Sequence, residues 1–124
     1  MNEQIEQIIG FKTPNELVEQ IYSLIDSAKS ITNIKTGVNE VTKSIEKEKA
    51  KLIIIAEDIN PIELIMHLPG LCREKKISFA SVPSKQELGV SAGLKVSASC
   101  IAIEDENIIK ENKKLISDID KLWQ

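Results

Sequence analysis

Three uninterrupted apolar runs constrain this chain more than anything else in it: "KLIIIAED" at 51–58, "ISFASVP" at 77–83 and "VSASCIAIE" at 96–104. Each has the length of a strand, and none alternates apolar with polar residues. A strand that is apolar on both faces has to be covered on both faces. The segments between and around these runs carry apolar residues at helical spacing instead. Helices alternating with buried strands predict an α/β fold: a three-layer α-β-α sandwich with a small mixed sheet in the middle.

The helices follow from local signals. Thr13 is expected to cap a helix that Pro14 starts, with Leu17, Val18, Ile21, Leu24 and Ile25 on one face to Lys29. "SITNIK" at 30–35 reads as a short strand or an extended lead-in. Gly37 opens the next helix, whose inward stripe is Val38, Val41, Thr42 and Ile45. Pro61 starts a third helix with Ile62, Leu64, Ile65, Leu68 and Leu71 inward, kinked or split at Pro69. Ser84 caps "KQELGVSAG", and a last amphipathic helix uses Ile108, Ile109, Leu115, Ile116, Ile119 and Leu122. Connections are short throughout, so all 124 residues are expected to form one domain.

Composition then narrows the function. Four aromatic residues leave little for stacking a run of single-stranded bases. A net charge of −3 argues against a nucleic-acid coat built on bulk positive charge. The charge is uneven, however. Residues 1–28 carry five acids and one Lys, whereas 29–51 carry six Lys against three Glu. Residues 73–95 carry five Lys or Arg against two Glu. Two basic stretches in an acidic chain point to one local anionic partner. Cys72 and Cys100 lie in apolar surroundings without metal-like spacing, so free buried thiols in a reducing compartment are expected. The N-terminal "MNEQIEQIIG" lacks the basic start of a signal peptide, and no apolar run is long enough to span a bilayer.

Most candidate sites have a bland reading that outweighs the sharp one. "GVSAG" at 89–93 reads as a helix end and not as a phosphate loop. Glu57, Asp58 and His67 would suit a small α/β enzyme, which is the rival functional reading. No Ser or Cys nucleophile and no third metal ligand accompanies them. His67 is better read as a hydrogen-bonded structural residue, and Glu57–Asp58 as a solvated turn ahead of Pro61. The start of the Gly37 helix is harder to dismiss. Asn39, Glu40 and Lys43 lie opposite its apolar stripe, and a Glu–Lys pair on a solvated face is worth only a few tenths of a kcal/mol. The same trio also suits a guanine whose Watson–Crick edge is free. A carboxylate takes the N1–H and N2–H₂ donors, an ammonium or amide meets O6 or N7, and helix amides help hold a phosphate.

The segments "GVNEVTKSIEKEKAKLIIIAEDINP" and "HLPGLCREKKISFASVPSKQELGVSAG" resemble the kink-turn-binding family of archaeal large-subunit ribosomal proteins, the L-seven-Ae type. Relatives of that family are the eukaryotic box C/D and H/ACA particle core proteins. The resemblance covers roughly residues 13–122, and its motifs recur in family order and spacing. It implies a non-enzymatic protein that binds the kink-turn, a sharply bent RNA with tandem sheared G·A pairs. By position, Gly37 would let the RNA backbone approach, and Asn39, Glu40 and Lys43 would read the guanines. Lys35 and Lys85 would face phosphates. Leu94, Lys95 and Val96 would pack on an extruded base, with Asn60 and Leu64 lining its pocket. The implied partners are ribosomal RNA, box C/D and H/ACA guide RNAs, ribonuclease P RNA and guide-particle core proteins. The free protein would be a cytoplasmic monomer with no cofactor and no membrane partner. Two positions depart from the family pattern. Thr36 stands where a second basic residue is usual, and Lys95 stands where archaeal members more often carry an acid.

Overall fold

In a computed structural model, which describes residues 7–122, the three apolar runs form the heart of a four-stranded mixed sheet. The strands are β1 (Lys35–Thr36), β2 (Leu52–Ala56), β3 (Ser78–Val82) and β4 (Cys100–Ile103), in the order β1-β4-β2-β3. β2 runs parallel to β3 and antiparallel to β4, and β4 runs antiparallel to β1. All residues of β2 and β4 are buried, as their unbroken apolar character requires. The helices are α1 (Asn15–Ala28), α2 (Val38–Glu46), α3 (His67–Lys75), α4 (Lys85–Ser91), α5 (Glu106–Glu111) and α6 (Lys113–Asp120). A 3₁₀ turn spans Ile62–Leu64. Helix α2 packs on β1 and β4 and touches α3, while α6 packs on β3 and on α1.

Side chains alternate across the sheet, so the register sorts the core into two faces. Ile53, Ile55, Phe79, Cys100 and Ala102 point one way. Leu52, Ile54, Ala80, Ile101 and Ile103 point the other. On the first face Arg73 of α3 lies over the Phe79 ring, 5.2 Å from its centre, and its guanidinium donates to the Ile9 carbonyl. The Phe11 ring packs at a tilt of 49° against the same ring, with centroids 5.5 Å apart.

Several local expectations are corrected. Helix α1 begins at Asn15 with no side-chain cap. The Thr13 hydroxyl instead accepts from the backbone N–H of Ser81 (3.1 Å), satisfying a donor on edge strand β3. In α2 the buried positions are Val41, Ser44 and Ile45, not Thr42. Ser44 turns inward because its hydroxyl donates to Glu104 at the end of β4, 2.6 Å away. Leu64 was expected inward but is 51 % exposed, since the chain makes a 3₁₀ turn there instead of an α-helix. Pro69 falls in the first turn of α3, where a missing N–H costs no helical bond. The third apolar run pairs only from Cys100, and residues 96–99 are loop. The last helix is two. It breaks at Asn112, whose side-chain amide donates to the Ile108 carbonyl four residues back (2.8 Å).

Cys72 and Cys100 are free and buried. Burial pushes the Cys72 thiol up to about 12, with the neighbouring Cys100 adding to the shift and Arg73 opposing it. Burial likewise pushes Cys100 up to about 11, against a small lowering from Ser99. Both therefore stay protonated at pH 8, and the reactive thiolate is scarce. Alkylation of the native protein at pH 8 should run at least about a hundredfold slower than for an ordinary thiol. In denaturant both should react, giving two adducts by intact mass. Rapid native labelling of either thiol would contradict the packing.

Candidate nucleic-acid interface

The sheet register decides where the candidate residues go. The last residues of β1, β2 and β3 and the first of β4 all lie at one end of the sheet. The eleven site residues expected from sequence fall on the segments at that end: Lys35 in β1, Gly37 to Lys43 in the turn into α2 and on that helix, Asn60 and Leu64 after β2, Lys85 at the start of α4, and Leu94, Lys95 and Val96 ahead of β4. Lys35 is half-buried in β1, and Gly37 follows it with φ +87° and ψ 154°. That conformation is essentially restricted to glycine. It swings the chain off β1 and straight into α2. The Gly37 N–H donates to the Cys100 carbonyl at 3.0 Å, fixing the start of α2 against the start of β4.

On α2, Asn39, Glu40 and Lys43 are exposed, opposite the buried Val41 and Ile45. The Lys43 ammonium is 4.0 Å from a Glu40 oxygen, with the side chains 65 % and 56 % exposed. At that distance and exposure the pair contributes little to stability. Its charged and polar ends remain available to a ligand. A built ideal Cβ on Gly37 meets nothing within 4 Å, so the space in front of the helix start is open.

Lys85 and the 94–96 loop are tied to this corner by hydrogen bonds to main-chain groups. Asp58, just past β2, accepts from the Lys85 N–H at 2.8 Å and so anchors the start of α4. Ser84 caps that helix by accepting from the Glu87 N–H, as its sequence predicts. The Tyr22 hydroxyl of α1 donates to the Ser84 carbonyl at 3.4 Å. The Lys85 carbonyl in turn accepts from Ala98 N–H (3.0 Å), and Leu94 N–H donates to Gly89 (2.9 Å). These bonds pin the 94–98 loop onto α4. Leu94 packs partly on the core, while Lys95 is exposed and Val96 is 70 % exposed. Asn60 and Leu64 are exposed on the turn after β2.

The rival enzymatic trio is not assembled. His67 is exposed, and its Nε2 is 2.9 Å from the Thr42 hydroxyl of α2. It is therefore hydrogen-bonded, as expected, but at the surface. No hydrogen bond or ion pair joins it to Glu57 or Asp58. Glu57 corrects the expected solvated turn, because it is buried and accepts from the Ser81 hydroxyl at 2.8 Å. Sequence reasoning missed the anchoring role of Asp58 and the Thr42–His67 contact. The only local hint for Asp58 is an acid directly after a buried strand. Among the described residues no group of side chains is arranged to hold a metal ion, and no helix is long and apolar enough to cross a membrane.

Residues 19–112 match the model of the ribosomal protein L7Ae/L30e/S12e/Gadd45 family. The chain belongs to that family. Its fold is also that of a Giardia lamblia 15.5kD RNA binding protein. The two superpose with a TM-score of 0.84 at 28 % identity, over 90 % of this chain and 93 % of the other. Family and neighbour together point away from catalysis. As an L7Ae-family domain, the chain holds its exposed polar trio and its 94–96 loop at one end of the sheet, whereas the two basic stretches are divided: Lys35, Lys43, Lys85 and Lys95 go to that end, and Lys51, Lys75 and Lys76 gather beside Glu48 at the other.

Proposed function

We propose that this protein binds kink-turn RNA and stabilises its bent form. Its targets would be ribosomal RNA and box C/D and H/ACA guide RNAs, with ribonuclease P RNA as a further one. The observation that carries the reading is the start of α2. There a glycine-only backbone turn presents an amide, a carboxylate and an ammonium to open space, beside a loop carrying an exposed Val. A sheared G·A pair leaves the guanine Watson–Crick edge free for such a set. Asn39, Glu40 and Lys43 would read the guanines, with Lys35 and Lys85 on phosphates. The Leu94–Val96 loop, Asn60 and Leu64 would hold an extruded base. The RNA-binding neighbour of the same fold supports this reading.

The mechanism is a population shift. The protein binds the kinked form better than the open form, and the difference in affinity sets how far the equilibrium moves. The bent complex then offers a defined surface to guide-particle core proteins. The protein would act in the cytoplasm, as a monomer when free and without a cofactor. Titration by gel shift tests the reading directly. A kink-turn should bind far more tightly than the same RNA with its G·A pairs replaced by Watson–Crick pairs, and equal affinity would sink it.

Salt dependence gives a second test. Lys35, Lys43, Lys85 and Lys95 offer roughly two to four phosphate contacts, so the log–log salt slope should be about −2 to −3. A slope near about −8 would require a charge-coated surface, at odds with one local site.

A further inference from the structure

A cavity beside this interface shares only Asn60 with the reading above. Its volume is about 700 Å³, within the usual range of about 300–1,000 Å³ for small-ligand pockets. Asn60 forms one wall, but Leu64 and the 94–96 loop do not line it, so it is distinct from the proposed extruded-base pocket. The other walls are Lys12, Thr13, Asn15 and Val18 near the start of α1, with Asp58, Ile59 and Pro83.

Glu57 also lines the cavity, although it is only 8 % exposed. A short relay holds it in place. The Ser81 hydroxyl donates to Glu57 Oε2 at 2.8 Å, so the 3.2 Å contact between Thr13 and Ser81 must use the Thr13 proton. Thr13 Oγ1 in turn accepts from the Ser81 N–H. Glu57 Oε1 has no hydrogen-bond or ion-pair partner among the described residues. A buried carboxylate oxygen without a donor is costly, and a ligand donor would relieve that cost.

We infer that this cavity takes a single unstacked RNA base bearing an exocyclic amino group: adenine, cytosine or guanine. The amino group donates to Glu57 Oε1, the base plane lies against Val18, Ile59 and Pro83, and the Asn15 amide meets the rest of its edge. Uracil fits less well, because its one edge donor, N3–H, is flanked by two carbonyl oxygens that would lie against the carboxylate. Lys12 on the rim suits the nucleotide's phosphate, while Glu57 and Asp58 make a guanidinium the competing ligand that the test must separate. The base comes from an RNA strand leaving the neighbouring interface, and to that extent the inference rests on the proposed function.

The test separates the two. In the ¹H–¹⁵N spectrum of the labelled protein, millimolar CMP and AMP should shift the amides of Thr13, Asn15, Glu57 and Ile59, and UMP should shift them much less. Glu57→Gln keeps an acceptor for Ser81 but turns a donor toward the base, and should weaken CMP binding about tenfold. Asn15→Ala, at an exposed position, should weaken it without touching the buried relay. Kink-turn RNA with a single-stranded cytosine tail should then bind more tightly than the same RNA with a uracil tail, and Glu57→Gln should abolish the difference. Equal shifts with UMP would overturn the inference, as would shifts with N-acetyl-arginine amide but not with CMP. CMP shifts without any tail effect would make the ligand a free nucleotide and overturn the RNA assignment. CMP shifts with no preference for a kink-turn would instead remove the proposed function and leave the pocket standing.

Discussion

Glu40→Gln is expected to weaken binding to a kink-turn by about 1–3 kcal/mol, roughly five- to 150-fold, with no loss toward a plain duplex. The substitution keeps the side chain's size and exposure. It replaces one acceptor oxygen with a donor, and a guanine edge offers N1–H and N2–H₂, both donors, at that point. Donor would face donor in a contact that RNA binding has stripped of water. The alternative is a solvated helix face, and it predicts the opposite sign. There, loss of a negative charge near phosphates leaves binding unchanged or slightly tighter for both RNAs. Intrinsic stability does not confuse the result, because the Glu40–Lys43 pair is exposed and at the limit of contact. Parallel gel-shift titrations of wild type and variant on the two RNAs decide between the readings. Equal or tighter binding of the variant to the kink-turn would leave Asn39, Glu40 and Lys43 without a role in recognition.

What could be read from sequence divides along the range of the interactions involved. The buried strands were legible because "LIIIA" and "CIAI" leave no polar face, whatever surrounds them. The start of α2 was legible because a glycine followed by helical periodicity is a local signal, and Ser84 capped α4 for the same reason. Side chains whose partners lie far along the chain were misplaced. Thr13 has the local signature of a helix cap, yet it serves Ser81, 68 residues away. Glu57 was read as solvated, yet Ser81 draws it into the interior. Ser44 turns inward toward Glu104, 60 residues on, and displaces Thr42 from the buried face. That the candidate residues gather at one end of the sheet is legible only through resemblance. Nothing within residues 35–43 reveals that β4 runs antiparallel and brings the 94–98 loop to the same corner.

That corner depends on a close approach at Gly89, where the largest stability effect is expected. Gly89 is buried in the middle of α4, and an added Cβ would lie 2.1 Å from the Val96 carbonyl oxygen and 3.1 Å from Ser97 Cα. Both neighbours are backbone, so no flexible side chain can yield. The Leu94–Gly89 and Ala98–Lys85 hydrogen bonds hold the loop in that position. Gly89→Ala must therefore move the loop or the helix by more than an ångström, breaking at least one of those bonds. Alanine gains up to about 1 kcal/mol as a helix former, but overpacking costs about 1–3 kcal/mol and a lost buried bond adds to it. The clash wins, and the melting temperature should fall by roughly 5–15 °C. Affinity for a kink-turn with an extruded loop base should fall as well, since Leu94–Val96 is the segment displaced. Gly70 of α3 supplies the control: it too is helical, but a Cβ there meets nothing within 4 Å. Gly70→Ala should raise the melting temperature by a few degrees through helix propensity alone and leave binding unchanged. Two identical substitutions, both within helices, thus carry opposite signs. If Gly89→Ala were as benign as Gly70→Ala, the 94–98 loop would not rest on α4, and its place in the interface would be lost with it.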